Sequence, residues 1–252
     1  MSKIVSVHSF RGGTGKSNTT ANLAGQIAML GYRVGVVDTD IASPGIHVLF
    51  NLDESKITHS LNDYLYGKCK VEQTAHDVTG NLGVSVPGKV YLVPSALRAG
   101  DIAKVLREGY DVGLLNDGFR DLTEELKLDA LLIDTHPGLN EETLLSIAIS
   151  DVLIIIMRPD NQDYQGTGVT VEVARKLNVP CLWLLVNKVP ASFPVAEVRA
   201  RVEKTYGAEV IGVLQHSDDL MALASSGLFS VRYPDHAISK ALAEVARKIM
   251  AQ

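Results

Sequence analysis

The strongest chemical signal in this 252-residue chain is the run Gly12-Gly13-Thr14-Gly15-Lys16-Ser17. It follows a β-branched stretch, Ile4-Val5-Ser6-Val7, and opens a segment of helical period. A strand, a glycine-rich turn and a helix N-terminus in that order make an anion site. Backbone N–H groups converge, the glycines let the chain close round phosphate oxygens, and the helix dipole favours negative charge. Lys16 is placed to meet the β- and γ-phosphates of a nucleoside triphosphate, and the Ser17 hydroxyl to ligate Mg2+. Gly12, Gly13, Thr14, Gly15 and Asn18 line the rest of the cradle. A chance glycine turn is the alternative. It would need three glycines, a lysine and a serine in register with no purpose.

Three more strand ends carry polar groups where ligands bind in open α/β sheets. Val36-Val37-Asp38-Thr39-Asp40 ends in two carboxylates, although aspartates after strands are also common turn formers. Leu131-Leu132-Ile133-Asp134 is an apolar strand ending in a carboxylate, the arrangement that binds Mg2+ directly or through water. His136-Pro137-Gly138 follows as a turn, and His136 reads as a surface turn histidine with no catalytic role. Leu184-Leu185-Val186-Asn187 ends in an amide that both donates and accepts hydrogen bonds.

Short apolar runs alternate with helical patterns along the whole chain. Strands are predicted over 3–9, 33–38, 90–93, 129–134, 151–157, 181–187 and 209–214. Most are continuously apolar, as parallel strands covered on both faces must be. Helices are predicted over 17–30, 60–66 and 236–250, and the region 41–88 reads as short helices and loops. The expected fold is α/β: a single doubly wound, mostly parallel sheet flanked by helices, in one domain spanning 1–252.

The loop departs from the common G-x-x-x-x-G-K-[ST] pattern, because residue 10 is Phe10. Phe10-Arg11-Gly12-Gly13-Thr14-Gly15-Lys16-Ser17 instead resembles the deviant phosphate loop, K-G-G-x-G-K-[ST], of the ParA/MinD family of P-loop ATPases, with Arg11 in place of the signature lysine. The stretches 38–45, 134–139 and 181–188 are similar to that family's two switches and base strand. The resemblance implies that Asp38 holds the water shell of Mg2+, that Asp134 binds the metal, and that Asp40 positions the attacking water. It implies that Asn187 pairs with adenine and that Arg11 reaches a partner's phosphates in an ATP-sandwich dimer. Arginine is chemically suited to that, being always charged and carrying a planar fork of donors. Asp38–Ile46 also loosely resembles iron–sulfur carriers of the Mrp type, which need a C-x-x-C that this chain lacks.

The implied cofactors are ATP and Mg2+, and the implied activity is slow hydrolysis of ATP to ADP and phosphate. Lys16, Arg11 and Asp40 would act on the reacting groups. The expected role is a cytoplasmic positioning or partitioning ATPase that forms a homodimer with ATP and is stimulated by an adaptor protein. A ligase of the dethiobiotin-synthetase type and a non-hydrolysing ATP-binding scaffold are the alternatives. The apolar stretches are too short to span a membrane and the N-terminus has no signal-peptide pattern. Cys69 and Cys181 are solitary, which suits a reducing compartment. The net charge is −5, carried wholly by residues 1–189, while 190–252 hold seven basic and seven acidic side chains. Non-specific DNA contact is therefore open, with Arg199, Arg201, Lys204, Arg232, Lys240, Arg247 and Lys248 as candidates. Membrane insertion of the last helix is the weaker expectation against docking on the sheet.

Overall fold

The apolar runs become strands because helices cover them from both sides. Along β6, Val152–Met157, Ile154 and Ile156 face one core cluster while Ile155 and Met157 face another. The computed structural model describes residues 2–252, except for the side chain of Leu106. The remaining strands are β1 Lys3–His8, β2 Arg33–Asp38, β3 His76–Asp77, β4 Lys89–Val93, β5 Ala130–Asp134, β7 Cys181–Val189 and β8 Glu209–Gln215. They form one sheet in the order β3-β4-β2-β5-β1-β6-β7-β8. β3 runs antiparallel to β4, and every other pairing is parallel. The predicted fold class holds.

One face is covered by α1 Lys16–Met29, α10 Phe229–Arg232 and α11 Ala237–Ala251. Leu23, Ile27, Phe229, Leu242 and Val245 pack there against Val5, Val7 and Leu132. The other face carries two clusters: Phe119 and Leu122 on Ile133 and Leu131, and Val171 and Val202 on Ile155 and Leu184. These involve α5 Val112–Glu125, α7 Asn161–Lys176 and α8 Val195–Tyr206. The shorter helices are α2 Ile46–Leu49, α3 Leu61–Leu65, α4 Ala99–Glu108, α6 Glu141–Ala148 and α9 Asp218–Ala222.

Two differences from the sequence reading matter. β3 is a two-residue strand inside the region read as helices and loops. β7 runs beyond Asn187 to Val189, with an irregular register against β8 between Val186 and Val189. The last helix docks as expected, burying Ile238, Leu242, Val245 and Ile249. Lys3 Nζ donates to the carbonyls of Ile249 and Met250 at 3.0 and 3.1 Å, satisfying groups the helix end leaves open. No described helix is long and apolar enough to cross a membrane.

Candidate nucleotide site

β1 lies between β5 and β6, so the loop that leaves its C-terminal end emerges at the middle of the sheet edge. Gly13 (φ 76°) and Gly15 (φ 95°) are left-handed, a conformation glycine adopts without steric cost. Gly15 has a second reason to be glycine, since a Cβ there would run into the Asn187 amide. Its carbonyl accepts from Thr19 N at 2.9 Å, the first bond of α1. Among the described residues, the N–H groups of Gly13, Thr14, Gly15 and Lys16 have no acceptor in the chain. Four unpaired donors at a helix start are what an anion requires.

β2 and β5 are neighbours, with Asp38 in register with Asp134. Two carboxylates from separate strands thus stand side by side, both 1% exposed. Lys16 Nζ lies 3.1 Å from Asp134 Oδ1, and the Thr20 hydroxyl lies 3.3 Å from the same oxygen. Asp134 Oδ2 is buried without a partner. The Asp38 carboxylate accepts from Asp40 N at 3.0 Å and Gly45 N at 3.3 Å, while the Ser95 hydroxyl donates to its carbonyl at 2.7 Å. Burial, reinforced by the charge of Asp134, pushes the Asp38 carboxyl up to about 8. Burial raises Asp40 as well, with His136 and Lys16 opposing it. Ser17, Asn18, Asp38 and Asp40 line one cleft of about 360 Å3. An orphaned carboxylate oxygen, a second buried carboxylate beside it and a hydroxyl in the same cleft are hard oxygen donors that fit Mg2+.

Other residues at this edge have partners of their own. Arg11 points to the start of α7, not into its own cradle. Its Nε donates to Asp163 Oδ1 at 2.6 Å, a second nitrogen lies 3.3 Å from Asp160, and it also meets Gln162. Asn187 is turned toward the loop: Nδ2 donates to Thr14 O at 2.8 Å and Oδ1 accepts from Lys188 N at 2.8 Å. His136 Nε2 lies 3.6 Å from Asp40 Oδ1. His8 went unnoticed in the sequence. Its Nδ1 lies 2.8 Å from the Thr135 hydroxyl, which itself donates to Val7 O at 3.1 Å, so the ring must donate through Nδ1. That leaves Nε2 as a bare buried acceptor. Burial first, then Lys16 and His136, push this ring down to about 3. A second cleft of about 560 Å3, lined by Val195, Gln215, His216, Ser217 and Asp218, adjoins the β7–β8 edge where a base is expected.

With this geometry in place, comparison with known proteins decides the family. Residues 1–250 match the family model described as ParA, NUBPL iron-transfer P-loop NTPase. The chain belongs to the ParA family of P-loop NTPases. An ATP-binding protein of Methanocaldococcus jannaschii is 27% identical over 251 residues, covering 99% of this chain and 88% of that protein. An iron–sulfur cluster carrier protein of Clostridium perfringens is 32% identical over 178 residues, covering 70% of this chain and 60% of that protein's length. Among solved structures, the MinD septum site-determining protein of Pyrococcus horikoshii, complexed with Mg-ADP, superposes with a TM-score of 0.82 at 21% identity. That match covers 99% of this chain and 96% of the other and demonstrates the shared fold.

Arg199 meets the Val210 carbonyl and Glu203, and Arg201 lies over the Tyr164 ring. Lys240 pairs with Asp235, and Lys248 with Glu209. Most of the candidate cations are thus already engaged within the chain.

Proposed function

We propose that this ParA-family protein is a positioning or partitioning ATPase, cycling between a monomeric ADP state and an ATP-bound homodimer. The observation that carries the reading is the convergence of Lys16, Ser17, Asp38, Asp40 and Asp134 at one sheet edge, beside four unpaired loop N–H groups. In this reading Gly12–Lys16 bind the phosphates through the backbone, and Lys16 exchanges its bond with Asp134 for phosphate oxygens. Ser17 and Asp134 would hold Mg2+ directly, with Asp38 on its water shell; the ion supplies charge neutralisation across the phosphates. Asp40 orients the attacking water, and Asn187 with the 214–219 loop contacts adenine. Arg11 leaves Asp160 and Asp163 to reach the partner's phosphates. An adaptor protein stimulates hydrolysis, and the cycle runs in the cytoplasm. Burial of the apolar face of α11 weighs against the membrane as the surface on which it cycles.

The test is ATP turnover and sizing of the protein with ATP, ADP or no nucleotide. Asp40→Ala is expected to lower turnover by about 100-fold and to accumulate as an ATP dimer. Loss of ATP binding in that variant would show that Asp40 has been misassigned. Turnover only with an added organic substrate would favour the ligase, and tight binding without turnover the scaffold.

The description of the family model favours a second reading, iron transfer. The chain's own residues do not fit a cluster cargo. Cys69 follows α3 while Cys181 begins β7, so the two thiols sit on separate elements. Visible iron–sulfur absorption after anaerobic reconstitution would restore that reading.

A further inference from the structure

Beside the phosphate loop, the end of β7 does something for which its sequence holds no obvious signal. Asn187 Nδ2 donates to Thr14 O, and the next residue, Lys188, donates from Nζ to Gly13 O, each at 2.8 Å. Two adjacent side chains therefore hold two adjacent carbonyls of the loop. This is possible only because Lys188 is left-handed (φ 56°), at the point where the register of β7 against β8 slips. In a regular strand, neighbouring side chains point to opposite faces and could not grip one loop together. A lysine with positive φ carries a conformational cost, so its persistence here asks for a compensating contact.

Peptide planarity gives the consequence. In a trans peptide the C=O of one residue and the N–H of the next point in opposite directions. Holding Gly13 O toward Lys188 aims Thr14 N–H the other way. Holding Thr14 O toward Asn187 does the same for Gly15 N–H. Both N–H groups are among those with no acceptor in the chain.

We propose that Lys188 is a positioning residue that, with Asn187, presets the phosphate cradle from outside by pinning the Gly13 and Thr14 carbonyls. The inference deepens the nucleotide-binding reading and rests on it for its ligand, although the clamp itself exists without nucleotide. Lys188 touches no phosphate in this role. It lowers the cost of ordering the loop, so its effect appears in affinity.

The experiment compares wild type with Lys188→Ala and Lys188→Arg. The first readout is the backbone 15N order parameters of residues 12–16 without nucleotide. The second is the dissociation constant for Mg-ADP by titration, and the third is KM against kcat for ATP. Lys188→Ala should lower the order parameters of the loop at an unchanged melting temperature and weaken Mg-ADP by about fivefold, the loss of one exposed charged hydrogen bond. KM should rise by more than kcat changes. Arginine, which still offers a cationic donor, should restore most of the affinity. Unchanged loop order parameters in Lys188→Ala would overturn the clamp whatever the nucleotide data show. If wild type binds no nucleotide at all, the functional reading fails, while the order parameters still decide the clamp.

Discussion

His8 lies beneath the phosphate loop with one ring nitrogen donating and the other bare. Protonation would place a second charge in a region that already holds Lys16. The folded ring, pushed down to about 3, binds fewer protons than the unfolded ring, whose ordinary value is 6.5. Its contribution to stability is therefore intact above pH 6.5 and is lost progressively as pH falls toward 3, by up to about 1.4 kcal/mol per pH unit. Asparagine can keep a donor near Thr135 without titrating. Relative to His8→Asn, wild type should lose stability between pH 6.5 and pH 4, as read from urea midpoints. Parallel curves for the two proteins would show that His8 is not the titrating group. A histidine inside an apolar strand is silent in the sequence. The Asp134 carboxylate announces itself at a strand end, while the burial of His8 depends on how α6 and the 135–140 turn close over it.

At the scale of elements, α7 sets the entry to the phosphate loop. Phe10 packs against Gly166 so closely that any Cβ there would overlap its ring. Arg11 is fixed one turn earlier by Asp160 and Asp163, and Asp163 also accepts from Arg158 N at 2.8 Å. Gly166→Ala should therefore displace Phe10, costing about 1–3 kcal/mol in stability and weakening Mg-ADP binding. Thermal unfolding and titration would check both; wild-type behaviour in both would mean that the loop enters independently of α7. Much of this level was legible in advance. The central strands were found because parallel strands buried on both faces must be continuously apolar, and Asp38, Asp134 and Lys16 because strand ends and a glycine turn fix where they emerge. Three things were hidden. β3 has two residues, too few for a period to register. The partners of Arg11 lie about 150 positions downstream. The role of Lys188 depends on a local slip in strand register, which no residue type signals.

At the scale of the whole molecule, the monomer keeps Arg11 engaged with its own acidic residues. A dimer must offer phosphate oxygens that compete with Asp160 and Asp163 for the same guanidinium. Arg11→Ala is expected to abolish the ATP-dependent change in size while monomeric ATP binding persists within a few-fold. Sizing with and without ATP, alongside a binding titration, measures both. A variant that still dimerises with ATP would confine Arg11 to its contacts with α7.

The strand order also bears on how the protein is made. β1 leaves the ribosome before the other seven described strands, yet its two neighbours in the sheet are β5 and β6. At ordinary synthesis rates, residue 157 appears roughly 7–30 s after residue 8. Through that interval the future phosphate loop is attached to an apolar strand with no sheet to join. The nascent chain therefore cannot recruit nucleotide to assist its own folding until more than half of it has emerged. Until then Ile4, Val5 and Val7 need shelter from other nascent chains.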